Sequence, residues 1–91
     1  MMHHITSIID IQPYTISVVF DGRETRKINF EPLLKNFPVL QNAKVFLAAK
    51  LGDYPTLMWA GLAKIKELNG TISTAPLDFC PDSLYMMSVQ V

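Results

Sequence analysis

The sequence lacks most of the features that would assign it to a specialised class of protein. Its 91 residues include one cysteine, which excludes an internal disulfide framework. No apolar run approaches the length of a membrane-spanning helix, and no signal peptide is visible at Met1-Met2-His3-His4. We therefore expect a cytoplasmic protein that does not associate with membranes.

A net charge is also absent, because 8 basic side chains balance 8 acidic ones. Nucleic-acid binding draws much of its affinity from neutralised phosphates, so a neutral chain is a poor candidate for it. The one basic cluster, Arg23, Arg26 and Lys27, has Glu24 within it. We interpret this cluster as the solvated face of a hairpin and predict no direct nucleic-acid partner.

Apolar residues, by contrast, are plentiful at 49% of the chain, with a mean hydropathy of +0.23. The length predicts one domain spanning residues 1–91, and so small a body cannot bury all of this surface. We therefore expect a homodimer formed through apolar surface. The favoured interface is a predicted helical region that contains Phe46, Leu47, Leu51 and Trp59. Residues 86–91, which alternate like an edge strand, are the other choice.

The first third of the chain has the alternation of β structure. Period-two patterns predict strands near 4–11, 14–20 and 25–30. Pro13 has no amide hydrogen for a ladder, so it belongs between the first two strands. Asp21-Gly22 tolerates positive φ and predicts a tight turn between the second and third.

The middle of the chain changes to a helical period. Glu31-Pro32-Leu33-Leu34 predicts a single helical turn, because proline suits a first helical position. Helices are expected near 40–51 and 55–61, with Gly52 ending the first of them.

Residues 62–68 fit two descriptions almost equally well. They form either a helical stripe or a strand that leads into a hairpin turn at Asn69-Gly70. The branched residues of 71–74 favour a strand after that turn.

The predicted core consists of the apolar residues on the inward face of each element. Its members are Ile5, Ile9, Ile16, Val18, Phe20, Ile28, Phe30, Leu33, Phe46, Ile65, Ile72 and Leu84.

The residues with chemical potential favour structural roles. Asp78 and Asp82 are a carboxylate pair without a third ligand nearby, so we expect Asp82 or Ser83 to cap a short helix begun by Pro81. A nucleophilic Cys80 would need a base and an orienting group, and the only histidines of the chain are His3 and His4, which favours a small buried hydrophobe. His3 and His4, if in a strand, point to opposite faces and cannot chelate one ion together. The sequence therefore predicts a non-enzyme with no cofactor and no metal.

Three segments together resemble a bacterial family catalogued as domain of unknown function 2442. They are the strand pair through Phe20-Asp21-Gly22 with Ile28-Asn29-Phe30-Glu31-Pro32-Leu33-Leu34, the segment Leu68-Asn69-Gly70-Thr71-Ile72-Ser73, and the ending Asp78-Phe79-Cys80-Pro81-Asp82-Ser83-Leu84-Tyr85. The ending is the most specific of the three. The chain departs from the family in lacking a Trp-Pro step at 73–76 and in its longer, more helical middle.

Because period-two and period-3.6 segments are segregated along the chain, the sequence predicts an α+β fold with two short helices on one face of an antiparallel sheet. The resemblance favours a hairpin near 63–68 and 71–75, which would join the N-terminal meander. It also implies a non-catalytic interaction module, because members are proposed to be antitoxin-like partners of small proteins encoded nearby. The alternative is a regulatory or ligand-sensing module, since relatives carry this domain ahead of a helix-turn-helix. This chain shows no such segment after Tyr85.

Overall fold

The computed structural model describes residues 3–52, 55–66 and 68–91, with the backbone alone at 62–66 and 73–75. The fold is α+β, as predicted, with two antiparallel sheets. The first sheet has the strand order β1-β2-β3-β7. Its strands are β1 (Ile5–Gln12), β2 (Thr15–Phe20), β3 (Glu24–Asn29) and the short β7 (Val89–Gln90). The three N-terminal strands predicted from alternation are confirmed.

Strand β2 shows why alternating apolar residues predicted a strand. Ile16, Val18 and Phe20 are completely buried while the residues between them are half-exposed. At the end of the strand, Asp21 and Gly22 have φ values of 56° and 72°, and the amide of Arg23 donates to the carbonyl of Phe20 at 3.1 Å. This is the tight turn predicted for Asp-Gly, with positive φ at both central residues.

The second sheet has the order β4-β5-β6. Its strands are β4 (Lys50–Leu51), β5 (Leu57–Lys66) and β6 (Ile72–Asp78). The hairpin that the sequence left open is therefore present, and its strands are longer than predicted. At its turn the side chain of Asn69 accepts from the amide of Thr71 at 3.0 Å. The pairing of β5 with β6 shifts register between Trp59 and Ala63, where Gly61 adopts a φ of 70° that favours glycine.

The two predicted middle helices are largely wrong. In place of the predicted helix 40–51 the chain forms the end of a 3₁₀ turn (Pro38–Gln41), the four-residue helix α1 (Ala43–Phe46) and strand β4. Asn42 divides the segment, because its side chain caps α1 by accepting from the amides of Lys44 and Val45 at 3.0 and 3.4 Å.

Within the predicted helix 55–61, residues 57–61 form the start of β5 and the two residues before them form a bend. Leu57 and Trp59 are buried while Ala60 is exposed, which is the alternation of a strand. Burial of a large side chain on one sheet face outweighs the weak helical preference of the segment. The single turn predicted after Phe30 is confirmed as a 3₁₀ turn (Glu31–Leu33).

The core contains the inward face of β2 together with an aromatic cluster at its end. Phe30 meets Phe46, Trp59 and Phe79 edge to face, with ring centroids 5.5–5.8 Å apart. The fully buried members from the predicted set are Ile5, Ile16, Val18, Phe20, Ile28, Phe30, Phe46 and Leu84.

Two of the predicted core residues lie at the surface. Ile9 is 60% exposed, because register shifts at Ile5/Ser7 and Ile8/Asp10 turn Ile8 rather than Ile9 toward the core. Ile72 is 67% exposed, because it pairs with Lys66 at the far end of the hairpin.

Two further members of the predicted core are not fully buried or not assessed. Leu33 is half-buried and packs against the cluster. The side chain of Ile65 lies outside the described residues. The core also contains Leu40, Ala49, Leu57 and Trp59, which were not in the predicted set.

Candidate functional site

The C-terminal motif forms a helix that ties the end of the chain to the first sheet. Helix α2 (Pro81–Met87) begins with Pro81 at its first turn, as predicted, and buries Leu84 in the core. Cys80 is the N-cap residue and is exposed, so the prediction of a small buried hydrophobe is wrong. Cys80 is exposed because it lies in the connection between β6 and α2 and in neither element.

The predicted cap is wrong for both Asp82 and Ser83. The N-cap residue is Cys80, and no side chain forms a capping hydrogen bond there. Asp82 instead accepts from the backbone amide of His3 at 2.7 Å, while Ser83 is exposed. Asp78 is exposed at the end of β6. The motif is thus held together by a contact with the N-terminal segment that no local pattern could indicate.

A polar cluster, here called the clasp, surrounds Tyr85 and consists of His3, Glu24, Arg26, Tyr85 and Ser88. The hydroxyl of Tyr85 donates to the Glu24 carboxylate at 2.9 Å to Oε1. The His3 ring stacks on the Tyr85 ring, with centroids 3.8 Å apart and planes 4° from parallel. The guanidinium carbon of Arg26 lies 4.4 Å from the Tyr85 ring centroid, within the range of a cation–π contact.

Arg26 connects this cluster to the end of α2. Its Nη1 donates to Glu24 at 2.7 Å, its Nε to the Ser88 hydroxyl at 2.5 Å and its Nη2 to the Ser88 carbonyl at 2.9 Å. The Ser88 hydroxyl in turn donates to the Tyr85 carbonyl at 2.6 Å. Each of the three Arg26 nitrogens, and the hydroxyls of Tyr85 and Ser88, therefore donates to an acceptor within the protein.

The charges of the clasp shift the pKa values of two of its groups. The Arg26 hydrogen bond, followed by that of Tyr85, lowers the pKa of Glu24 from 4.5. The neighbouring Glu24 carboxylate accepts from the Tyr85 hydroxyl and raises the pKa of Tyr85 above 10.0. Both shifts keep these groups in the forms that bind each other at neutral pH, which fits a structural role better than proton transfer.

Both histidines approach a single carboxylate. The amide of His4 donates to Asp21 at 3.0 Å, and Nδ1 of His3 lies 3.2 Å from the same carboxylate. The amide of His4, followed by the His3 side chain, lowers the pKa of Asp21. Both residues precede β1, so the strand geometry that would point them to opposite faces does not apply. Within the described residues no three His, Cys, Asp or Glu side chains gather as metal ligands would.

A second feature is a cleft of about 390 Å³ between α1 and the start of β5, here called the α1–β5 cleft. Its described lining is apolar on the floor and basic at two positions. The lining residues are Lys44, Val45, Ala48, Lys50, Trp59 and Ala60.

Local structure explains how the floor of the α1–β5 cleft is fixed. Trp59 is 1% exposed, and its indole Nε1 donates to the carbonyl of Phe46 at 3.1 Å, which joins β5 to the last residue of α1. The ring packs near Phe46 at 5.9 Å between centroids. The wall beside α1 is therefore attached to a buried, hydrogen-bonded tryptophan rather than to a loose surface loop.

The four residues predicted to form an interface do not all lie at the surface. Phe46 and Trp59 are buried in the core, so they cannot supply an exposed patch. Leu47 and Leu51 are 47% and 36% exposed, and they neighbour the cleft-lining residues in sequence. Sequence reasoning missed the two lysines because one continuous helix over 40–51 would not have brought Lys50 opposite β5.

Comparison with protein-family models, curated proteins and solved structures finds no match for this chain. The resemblance to domain of unknown function 2442 therefore stays a hypothesis. Across the part of the chain that the structure describes, no helix is long and apolar enough to cross a membrane.

Proposed function

We propose that this chain is a non-catalytic protein-interaction module that receives its partner at the α1–β5 cleft. The observation that carries this proposal is an apolar cleft, held in place by the buried and hydrogen-bonded Trp59, in a segment that also exposes Leu47 and Leu51. Exposed apolar surface next to a concave site is typical of protein-binding regions. An antitoxin-like role, implied by the family resemblance, is one form that such a module takes.

The hydrogen bonds of the clasp support a non-catalytic role, because they already occupy its polar groups. Within the described residues no buried side-chain nitrogen or oxygen lacks a hydrogen-bond partner. General acid–base catalysis needs a group near its substrate that is free to exchange a proton. In the clasp the carboxylate of Glu24 is already occupied by Arg26 and Tyr85.

Self-association through the same surface is a weaker form of the proposal. A twofold axis through the cleft would bring Lys44 and Lys50 toward their own copies, and such like charges repel. We therefore favour a second, different protein over the homodimer expected from composition, while Leu47 and Leu51 supply apolar surface to either.

A ligand-sensing module is the second candidate. The cleft volume of about 390 Å³ falls within the range of small-molecule sites, roughly 300–1,000 Å³. A polar ligand with an apolar body would suit the lining, and its binding would make the protein a regulator of whatever protein contacts the neighbouring surface.

The experiment is an affinity capture from lysate of the organism that encodes the chain. Leu47→Asp should abolish recovery of the partner, because a charge in the exposed apolar surface that follows α1 would have to be desolvated on binding. Ile72→Asp is the matched control, since Ile72 is also exposed but lies on the far hairpin. A partner lost equally with both variants, or with neither, would contradict the proposed surface.

Light scattering across a dilution series addresses the homodimer. A mass that rises with concentration and falls back to the monomer in Leu47→Asp would support self-association. A monomer at every concentration would leave the different protein as the partner.

A further inference from the structure

The β5–β6 hairpin projects from the body of the protein beyond Trp59. Its residues 60–76, here called the arm, contribute no described side chain to the core. All described residues of the arm are exposed, and they are Ala60, Gly61, Leu68, Asn69, Gly70, Thr71, Ile72 and Pro76. The radius of gyration is 13.7 Å, whereas a compact domain of this length has about 12 Å. The chain therefore extends an arm that its own core does not support.

One edge of the arm has no neighbouring strand. Strand β4 pairs with β5 only at Leu57 and Met58, so within the described residues the edge of β5 is unpaired on that side from Trp59 to Lys66. A two-stranded hairpin is marginal in water, and it gains independent stability from a third strand or from packing against a helix. A strand added in line with β4 would meet this need.

The edge of β6 is less suited to an added strand. Pro76 lies within β6 and has no N–H for a ladder, and proline in a strand is typical of an edge that stays unpaired. Strand β5 contains no proline between Leu57 and Lys66. The free edge of β5 is therefore the better pairing edge of the arm.

The composition of the arm favours main-chain pairing over recognition by charge. Its sequence contains two lysines and one glutamate, so it has little net charge with which to select an oppositely charged partner. When the same strand of a second copy approaches antiparallel around a twofold axis, each strand offers the donors and acceptors that the other needs. A second copy therefore supplies the missing strand without any further complementarity.

We propose that the arm is a dimerisation element, in which β5 pairs antiparallel with β5 of a second copy about a twofold axis at Ala63. Ala63 lies midway between Met58, the last residue paired with β4, and Leu68 at the start of the turn. The product is a four-stranded antiparallel sheet with the order β6-β5-β5-β6, which has the strand number that the isolated arm lacks.

The register at Ala63 also avoids repulsion between like charges. It places Lys64 opposite position 62 of the copy and Lys66 opposite position 60, so no lysine lies opposite a lysine. Ala60, which lines the α1–β5 cleft, lies about 20 Å along the strands from its own copy. Lys44 and Lys50 therefore do not face their own copies, as they would around an axis through the cleft. The dimer does not rest on the function proposed for that cleft.

Light scattering on the full chain across a dilution series tests the dimer. The arm has fewer residues than the roughly 20–30 a side of a standard interface, so we expect a weak dimer with a dissociation constant of about 10–100 μM. Ala63→Asp brings two like charges together at the axis and should weaken the dimer by about tenfold or more. Thr74→Asp is the matched control, because Thr74 pairs with Lys64 inside the arm but lies on β6, and it should leave the dimer unchanged.

Disulfide cross-linking tests the register independently of these charges. Cys80 is exposed, so the variants are made in a Cys80→Ser background. With Ala63→Cys, oxidised glutathione should produce a covalent dimer, because Cα atoms directly opposite in an antiparallel pair lie about 4.5–5.5 Å apart, within disulfide range. Thr74→Cys should stay monomeric, since the two β6 strands would lie about 14 Å apart. Circular dichroism and thermal unfolding verify that each variant keeps the fold.

The outcomes separate this dimer from the partner surface. A monomer at every concentration up to about 100 μM, without a covalent dimer of Ala63→Cys, would overturn the inference. So would a dimer that dissociates in Leu47→Asp, or one that is cross-linked through Thr74→Cys and not through Ala63→Cys. A dimer that persists in Leu47→Asp supports the inference. If that variant still recovers the cellular partner, the proposed function fails while the dimer stands.

Discussion

The two sheets bury their strands to very different extents. In the first sheet β2 is paired on both sides along its length and turns three fully buried side chains into the core. In the second sheet β5 pairs with β6, but β4 accompanies it only at Leu57 and Met58. Beyond that point the ladder has two strands, and an isolated two-stranded ladder is marginal in water. The first sheet therefore supplies the stable body, and the second positions a surface.

The largest effect on stability is expected from truncation of a buried side chain in the first sheet. Phe20 is completely buried, so Phe20→Ala should lower the free energy of unfolding by about 3–5 kcal/mol. Ile9→Ala in the neighbouring strand should cost less than about 1 kcal/mol, because Ile9 is 60% exposed. Denaturant titration measures both. Similar losses from the two variants would mean that the bulged register of β1 is wrong.

A smaller effect is expected where the C-terminal helix meets the N-terminal segment. Asp82→Ala removes the acceptor of the His3 amide and should cost about 1–2 kcal/mol. Ser83→Ala, at the adjacent exposed position, should change the stability by less than about 0.5 kcal/mol. Thermal unfolding distinguishes them. A larger loss from Ser83→Ala would restore the capping role that the sequence predicted.

Acid should weaken the clasp of the first sheet. The pKa of Glu24 is lowered in the folded protein, so its contribution is present above pH 4.5 and disappears as the pH falls through the lowered value. We expect Glu24→Gln to flatten this part of the stability profile. The effect is limited because the side chain is 33% exposed. Unfolding followed from neutral to acidic pH gives the profile, and an unchanged slope in Glu24→Gln would assign the acid sensitivity to other groups such as Asp21.

The smallest effect should come from the far end of the second sheet. Ile72→Thr keeps a β-branched side chain at a position that is 67% exposed, so stability should change by less than about 0.5 kcal/mol. A loss above about 2 kcal/mol in denaturant titration would show that Ile72 is covered in solution. The hairpin would then not be the exposed ribbon that distinguishes the second sheet from the first.

The sequence predicted the elements whose pattern is local. The alternating pattern predicted β2, which pairs with a strand on each side. Asp21-Gly22 predicted the turn after it, because both residues adopt a positive φ there. The segment from Leu40 to Trp59 was misassigned because its structure depends on distant contacts. Phe46 accepts a hydrogen bond from Trp59, 13 residues later, and this contact, with the pairing of β4 to β5, favours strand over helix.

The same reasoning explains what could be known of the candidate site. Leu47 and Leu51 were predicted for an interface because the chain has more apolar residues than so small a core needs, whereas Lys44 and Lys50 become neighbours only when β4 replaces a helical turn. The contact of Asp82 with His3 spans 79 residues, so no spacing in the motif could indicate it.

The contacts of Arg26 restrict how this sequence can change during evolution. Its guanidinium contacts Glu24, the Tyr85 ring and both oxygens of Ser88, and only a planar group with several donors can do this at once. Lysine would keep the charge but lose the planar group whose N–H donors reach several acceptors at once. In diverging descendants, we therefore expect positions 24, 26 and 85 to be replaced together, and a lone Arg26→Lys exchange to be rare.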